Sequence, residues 1–118
     1  MWATGASEPE TRMSRQEYRA WLEQQPSGRF ERIEGVVVAM APERAEHALC
    51  KARVEQALDG AVRDSGLPCE VYPDGMTVEV GDSDYEPDAT LRCGAPLSGN
   101  AIAVADPLII VDVLSPKM

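Results

Sequence analysis

The segment that most constrains the fold is the apolar run at residues 107–114, PLIIVDVL, whose one charged residue is Asp112. The run is too short for a membrane span, and its Ile and Val content favours a β-strand. Because apolar side chains occupy successive positions, both faces of the strand need cover, which predicts a central place in a sheet. An aspartate without a partner is costly to bury. Asp112 therefore has to reach solvent, a cation or a hydrogen-bond donor.

A helix and a hairpin are predicted near the start of the chain. Ser14 and Glu17 are three residues apart, which is the spacing of a capping box, so a first helix should begin there and end before Pro26. The stretch FERIEGVVVAM predicts a hairpin that turns at Glu34-Gly35, since a two-residue turn ending in glycine suits the positive φ angles of hairpins.

A long second helix is predicted over residues 43–65, because apolar side chains recur there at three- and four-residue steps. The face that they form consists of His47, Cys50, Val54, Leu58 and Ala61. Beyond this helix, residues 69–80 predict a second hairpin, GDSD predicts a loop, and YEPDATLR predicts a strand that Pro87 interrupts. With the final strand, this order predicts an α+β fold, or an α/β fold with a mixed sheet.

Charge and cysteine content narrow the possible partners and the compartment. The 118-residue chain carries 20 acidic and 11 basic residues, and its net charge of −9 argues against broad, nonspecific binding to a phosphate backbone. The three cysteines, Cys50, Cys69 and Cys93, are odd in number and lack a C-x-x-C spacing, so neither a disulfide framework nor a structural zinc site is expected. The prediction is buried, reduced thiols in a cytoplasmic protein.

The N-terminus gives no indication of export. Residues 1–12 are small, polar and acidic, which predicts a disordered tail before a domain at residues 13–118. The tail lacks the hydrophobic core of a signal peptide, and Met13 is a candidate for the original start. No apolar run reaches the length of a membrane span, so no membrane association is expected.

Two carboxylates lie where ordinary surface charges are not expected. Asp112 is inside the apolar run, and Asp88 follows Pro87 at the start of a predicted strand. Acids at the ends of neighbouring strands can bind a hard divalent cation through oxygen. Mg²⁺ fits this pair better than Zn²⁺, because the chain has no cluster of histidine and cysteine. The alternative is a pair of strand-end acids that are satisfied by backbone donors.

Two more residues are candidates on weaker grounds. Glu31 lies on a predicted hairpin strand, where a solvated position is the simpler interpretation. His47 is the only histidine of the chain, and a hydrogen-bonded residue at the edge of the core is a simpler interpretation than a general base. The chain has no glycine-rich nucleotide loop and no G-x-S-x-G motif.

Five stretches, taken in order, resemble the Uma-type family of restriction-endonuclease-like proteins in the PD-(D/E)XK nuclease superfamily. They are MSRQEYRAWLEQ, FERIEGVVVAM, PERAEHALCKARVEQAL, YEPDATL and PLIIVDVLSP. The resemblance runs from about Ser14 to the last residue. It implies a restriction-endonuclease-like core with an N-terminal helix, a hairpin, one long helix and a mixed sheet.

The resemblance also implies an activity, which is metal-dependent hydrolysis of phosphodiester bonds in DNA. It assigns Mg²⁺, with Mn²⁺ as a substitute, to Asp88, Asp112 and the main-chain carbonyl of Val113. In the same scheme, Glu31 is an outer ligand or a water-positioning residue, and His47 is a further catalytic candidate.

Two features depart from the family pattern. The family usually has glutamate where this chain has Asp112. The superfamily usually has a lysine two residues after the second acid, where this chain has Leu114. The Uma-type family is expected to carry its lysine further along, on a later helix. Lys117 does not match that position. The chain is therefore expected to lack the final helix and strand of the family. This predicts impaired cutting and self-association through an incomplete sheet edge, with a noncatalytic binding module as the alternative function.

Overall fold

The computed structural model describes residues 11–114, and its two helices and seven strands confirm the predicted α+β class. In chain order the elements are α1 (Arg15–Glu23), β1 (Phe30–Ile33), β2 (Val36–Ala39), α2 (Ala45–Ser65), β3 (Cys69–Pro73), β4 (Val78–Val80), β5 (Ser83–Tyr85), β6 (Ala89–Cys93) and β7 (Ile109–Val111). The described residues fall into two compact units, 11–41 with 80–85 and 42–79 with 86–114. Most of the tail that was expected to be disordered lies outside the described residues, as does Lys117.

The first unit opens with the predicted helix and hairpin. Ser14 Oγ accepts the backbone N–H of Glu17 at 3.1 Å, and the Glu17 carboxylate accepts the N–H of Ser14 at 2.8 Å. This capping box satisfies two donors that the start of α1 would otherwise leave unpaired. Strands β1 and β2 then pair as a hairpin. Its two turn residues have the positive φ angles that a tight hairpin requires, 49° at Glu34 and 86° at Gly35.

A buried ion pair stabilises the interior of the first unit. Arg32 on β1 lies opposite Asp84 on β5, and each residue is only 2% exposed. Arg32 Nε donates to one oxygen of Asp84 at 3.1 Å, and Arg15 Nε donates to the other at 2.7 Å. Two guanidinium groups thus compensate one buried carboxylate. Because Ser83–Tyr85 forms β5, the predicted GDSD loop is wrong at its last two residues.

The second unit packs α2 against a three-stranded sheet with the order β3-β6-β7. The central strand β6 pairs antiparallel with both neighbours, and its residues Ala89, Thr90 and Leu91 are buried. Helix α2 ends at Gly66, whose φ of 69° gives the left-handed cap that glycine adopts readily. No residue of α2 is fully buried, so the apolar face predicted for this helix is only partly covered.

Strand pairing in the middle of the chain differs from the sequence prediction. A hairpin of β3 with β4 was expected, but β3 pairs with β6, while β4 takes the end position in the order β2-β1-β5-β4. The boundary between the two units falls inside β4. Instead of one mixed sheet there are two sheets, and Thr77 and Ala103 form an isolated parallel bridge outside the named strands. Alternating hydrophobicity predicts strands but does not specify which strands pair.

The cysteine prediction is wrong for the described fold. Cys69 and Cys93 lie directly opposite each other on β3 and β6, and a disulfide joins them. Cys50 is free and exposed on α2 rather than buried. The count of three did not reveal this pairing, because the strand register that brings two of the cysteines together is nonlocal.

The strand predicted to be central and covered on both faces is an edge strand in the described fold. Within residues 11–114, β7 has a single neighbour, β6. Leu108 is 68% exposed and Ile110 is 49% exposed. Among the described residues no element covers the outer side of the strand, so the outcome follows the expected incomplete sheet edge rather than a covered central strand. No helix among the described residues is long and apolar enough to span a membrane.

Candidate active site

Asp88 occupies a fixed position at the start of β6 in the second unit. Its backbone N–H donates to the carbonyl of Val111 at 3.0 Å, and its carboxylate oxygen Oδ2 accepts the N–H of Val113 at 2.6 Å. Both bonds join the start of β6 to the end of β7. The residue is 8% exposed, which is unusual for an aspartate and requires such a donor. The backbone-donor alternative thus accounts for one carboxylate oxygen of Asp88, and no described residue bonds the other.

Asp112 directly follows β7 and is exposed. The expectation that it lies on a buried strand is therefore wrong, since solvent can hydrate its charge. The register of β6 and β7 pairs Ala89 with Val111. Continued by one residue, this register sets Asp88 opposite Asp112. Like charges at opposite positions of two strands repel each other, and a cation between them would relieve that repulsion.

His47 lies in the first turn of α2 and contacts the same strand ends. Its Nε2 lies 2.7 Å from the carbonyl oxygen of Val113 and 3.6 Å from Oδ2 of Asp88, while its Nδ1 lies 2.7 Å from a carboxylate oxygen of Glu43. A carbonyl and a carboxylate can only accept hydrogen bonds, so both bonds form together only when the imidazole is protonated and both ring nitrogens donate. The hydrogen bond to Glu43 raises the pKa of His47, and the bond to the carbonyl of Val113 raises it further against the opposing effect of burial.

The charged network continues from Glu43 into a cleft of about 240 Å³. Lys51 Nζ lies 2.5 Å from the carboxylate of Glu43 and 2.7 Å from that of Asp74. These three residues line the cleft together with Asp88 and Glu55. The sequence prediction missed Glu43, Lys51 and Asp74. Residues 43, 47 and 51 are spaced by four, which is the spacing of neighbours on one helical face, so part of this network was open to prediction.

Comparison with known proteins identifies the family of this chain. A model of the Uma2 family, described as "Putative restriction endonuclease", matches residues 15–117. The chain belongs to the Uma2 family. The match confirms the resemblance inferred from the five stretches. No curated protein and no solved structure matches the chain.

The remaining site residue predicted for this Uma2 chain lies in the first unit. Glu31 is half-buried on β1, directly opposite Val38 of β2. The other three candidates, His47, Asp88 and Asp112, belong to the second unit. The role assigned to Glu31 stays a prediction that rests on the family resemblance.

The oxygen atoms at the strand ends of this Uma2 chain fit a hard divalent cation in their chemistry. Asp88 keeps one carboxylate oxygen without a described partner, Asp112 is exposed, and the Val113 carbonyl has a second lone pair besides the one that faces His47. Mg²⁺ prefers such oxygen ligands and retains several of its own waters, so few protein ligands are enough. Within residues 11–114, no group of three or more His, Cys, Asp or Glu side chains is arranged to bind a metal ion.

Proposed function

We propose that this Uma2-family chain is a Mg²⁺-dependent endonuclease that hydrolyses phosphodiester bonds of DNA at the cleft beside Asp88. The observation that carries the proposal is the position of Asp88. It is a nearly buried carboxylate at a strand end that keeps one oxygen without a described partner, next to the imidazole of His47 and opposite a second acid in the continued register. A cluster of charged groups that includes a histidine with a raised pKa, here His47, favours a functional site over a purely structural one.

Asp88, Asp112 and the carbonyl of Val113 would hold the metal ion, with Mn²⁺ as a substitute for Mg²⁺. When bound, such an ion neutralises phosphate charge and lowers the pKa of a coordinated water. The chain's own residues prepare the site. The N–H of Val113 fixes one oxygen of Asp88, which orients the other. The Nε2–H of His47 fixes the Val113 carbonyl from the helix side.

The electrostatics of the cleft favour a cation-dependent contact with DNA. Four of its lining residues, Glu43, Glu55, Asp74 and Asp88, are acidic, and the whole chain has a net charge of −9. A phosphate backbone would be repelled by this surface unless a metal ion compensated the charge. Binding of DNA should therefore depend on the divalent ion, in contrast to a protein that binds DNA through a broad basic surface.

One observation favours a noncatalytic binding module as the second candidate function. Leu114 stands where the superfamily pattern has its lysine, and it is 88% exposed without any charged group to offer. If no other residue supplies the missing ammonium group, a protein with the metal-binding acids could bind DNA without cutting it.

Cleavage of plasmid DNA by the purified chain tests the proposal. Slow cutting is expected with Mg²⁺ or Mn²⁺, because Leu114 stands where the superfamily pattern has its lysine. This cutting should be abolished by EDTA and by Asp88→Asn, which removes the negative charge but keeps the shape. Asp59→Asn is the matched control, because Asp59 lies on α2 in an exposed ion pair with Arg63. Equal cutting by wild type and Asp88→Asn would refute the assignment. Metal-dependent DNA binding without any cutting would favour the binding module.

A further inference from the structure

The cleft beside Asp88 contains one cation whose position suits a substrate contact. Lys51 lies on α2 one turn after His47, and its side chain is only 10% exposed. Among the described residues that line the cleft it is the only basic one. Lysine ammonium groups are rarely so enclosed unless they are paired, and here Glu43 and Asp74 are the partners.

The ammonium group of Lys51 is held in place but is not saturated. It has three N–H donors, and the described residues supply two acceptors, one from Glu43 and one from Asp74. Burial tends to lower the pKa of Lys51, but the hydrogen bonds to Asp74 and Glu43 outweigh it and raise the pKa, so the group stays charged at neutral pH. A charged group with fixed direction and one remaining donor is prepared to bind an incoming anion.

We propose that Lys51 is the phosphate-binding cation of this site, and that its third N–H donates to a non-bridging oxygen of a DNA phosphate held beside Asp88. This inference rests on the proposed nuclease function, because it takes the cleft as the place where the DNA backbone binds. In this proposal, Lys51 on α2 supplies the positive charge of the superfamily's lysine, whose position is occupied by Leu114 in this chain. Glu43 and Asp74 are then positioning residues that aim the ammonium group into the cleft.

The alternative role for Lys51 is structural. Its bonds join α2 to the turn after β3, where Asp74 lies. A purely structural lysine should lower the melting temperature when it is replaced, without changing the number of phosphates that the protein contacts. A phosphate-binding lysine should change the salt dependence of DNA binding, because each ionic contact with a phosphate adds about 0.9 to the slope of log affinity against log salt concentration.

The test is fluorescence anisotropy with a short labelled duplex over a series of salt concentrations, in Mg²⁺ and in EDTA. Lys51→Gln should bind roughly fivefold more weakly than wild type and show a salt slope smaller by about 0.9. Lys51→Arg should recover most of the affinity, because it restores the charge. Arg63→Gln is the matched control, since Arg63 lies on the same helix with a 78% exposed side chain and should leave affinity and slope unchanged.

Cutting by the same samples separates this inference from the proposed function. If wild type does not cut but Lys51→Gln loses affinity and slope as expected, the nuclease assignment fails and the phosphate contact stands. If wild type cuts while Lys51→Gln keeps the wild-type slope, Lys51 is structural and the nuclease assignment stands. Wild type that binds no duplex in Mg²⁺ or EDTA would overturn the phosphate contact.

Discussion

At the scale of single residues, the strand-end acid was predictable and its surroundings were not. Asp88 was identified because it follows Pro87 at the start of a predicted strand, which is a local feature. Glu43 and Lys51 gave a weaker indication, since their four-residue spacing from His47 is common on solvated helices. Asp84 gave none, because a carboxylate in a polar loop sequence does not reveal that two arginines from other elements will enclose it.

The raised pKa of His47 makes the free energy of unfolding depend on pH in a defined direction. The folded-state pKa of His47 is raised above its ordinary value of 6.5. The stabilisation is therefore fully present below pH 6.5 and is lost as the pH rises through the folded-state pKa. His47→Gln should remove this contribution. The difference in unfolding free energy between wild type and His47→Gln, measured by urea denaturation in EDTA, should be largest at mildly acidic pH and should shrink toward alkaline pH.

Urea titrations of both proteins across this pH range give the comparison directly. Groups that do not contact His47 titrate alike in both proteins, so their effects cancel in the difference. The pKa of Glu43, which is lowered by Lys51 and by His47, lies below the mildly acidic range that is compared. A difference that is constant with pH, or that grows as the pH rises, would show that the imidazole is neutral in the folded protein and that one of its two hydrogen bonds is absent.

At the scale of elements, structure that depends on neighbours in sequence was predicted and structure that depends on distant pairing was not. The capping box of α1 and the hairpin of β1 and β2 follow from residues within a few positions of each other, and both form as expected. The pairing of β3 with β6 connects strands that are separated by β4 and β5. The disulfide between Cys69 and Cys93 depends on that pairing, so it was missed together with it.

The exposed edge of β7 predicts self-association of the 118-residue chain. Within the described residues the strand has one neighbour, and it carries no charge that would discourage pairing with another chain. Ile110→Lys should therefore shift the protein from oligomer toward monomer in sedimentation velocity experiments. Ile102→Lys is the matched control, because Ile102 is also exposed, at 57%, but lies outside the named strands. Wild type that sediments as a monomer at all concentrations would contradict the prediction.

At the scale of the whole molecule, composition indicated the electrostatic character, and the proposed function rests on the family resemblance. The net charge of −9 argued against a broad basic DNA-binding surface, and the cleft beside Asp88 is indeed mostly acidic. The fold class followed from the order of helices and strands, whereas the division into two units did not. The chain passes from the second unit into the first at Val80 and returns to the second after Tyr85, which no local pattern indicates. The family match over residues 15–117 agrees with the resemblance that five short stretches had indicated.

The most direct test of the account is whether Asp88 binds a divalent cation in the folded protein. A ligand that binds only the folded state raises the melting temperature by mass action. Titration with Mn²⁺ should raise the melting temperature of wild type and of Asp59→Asn by the same modest amount, and Asp88→Asn should show no increase. An equal increase in wild type and Asp88→Asn would contradict the account, because it would place the cation at a site to which Asp88 does not contribute.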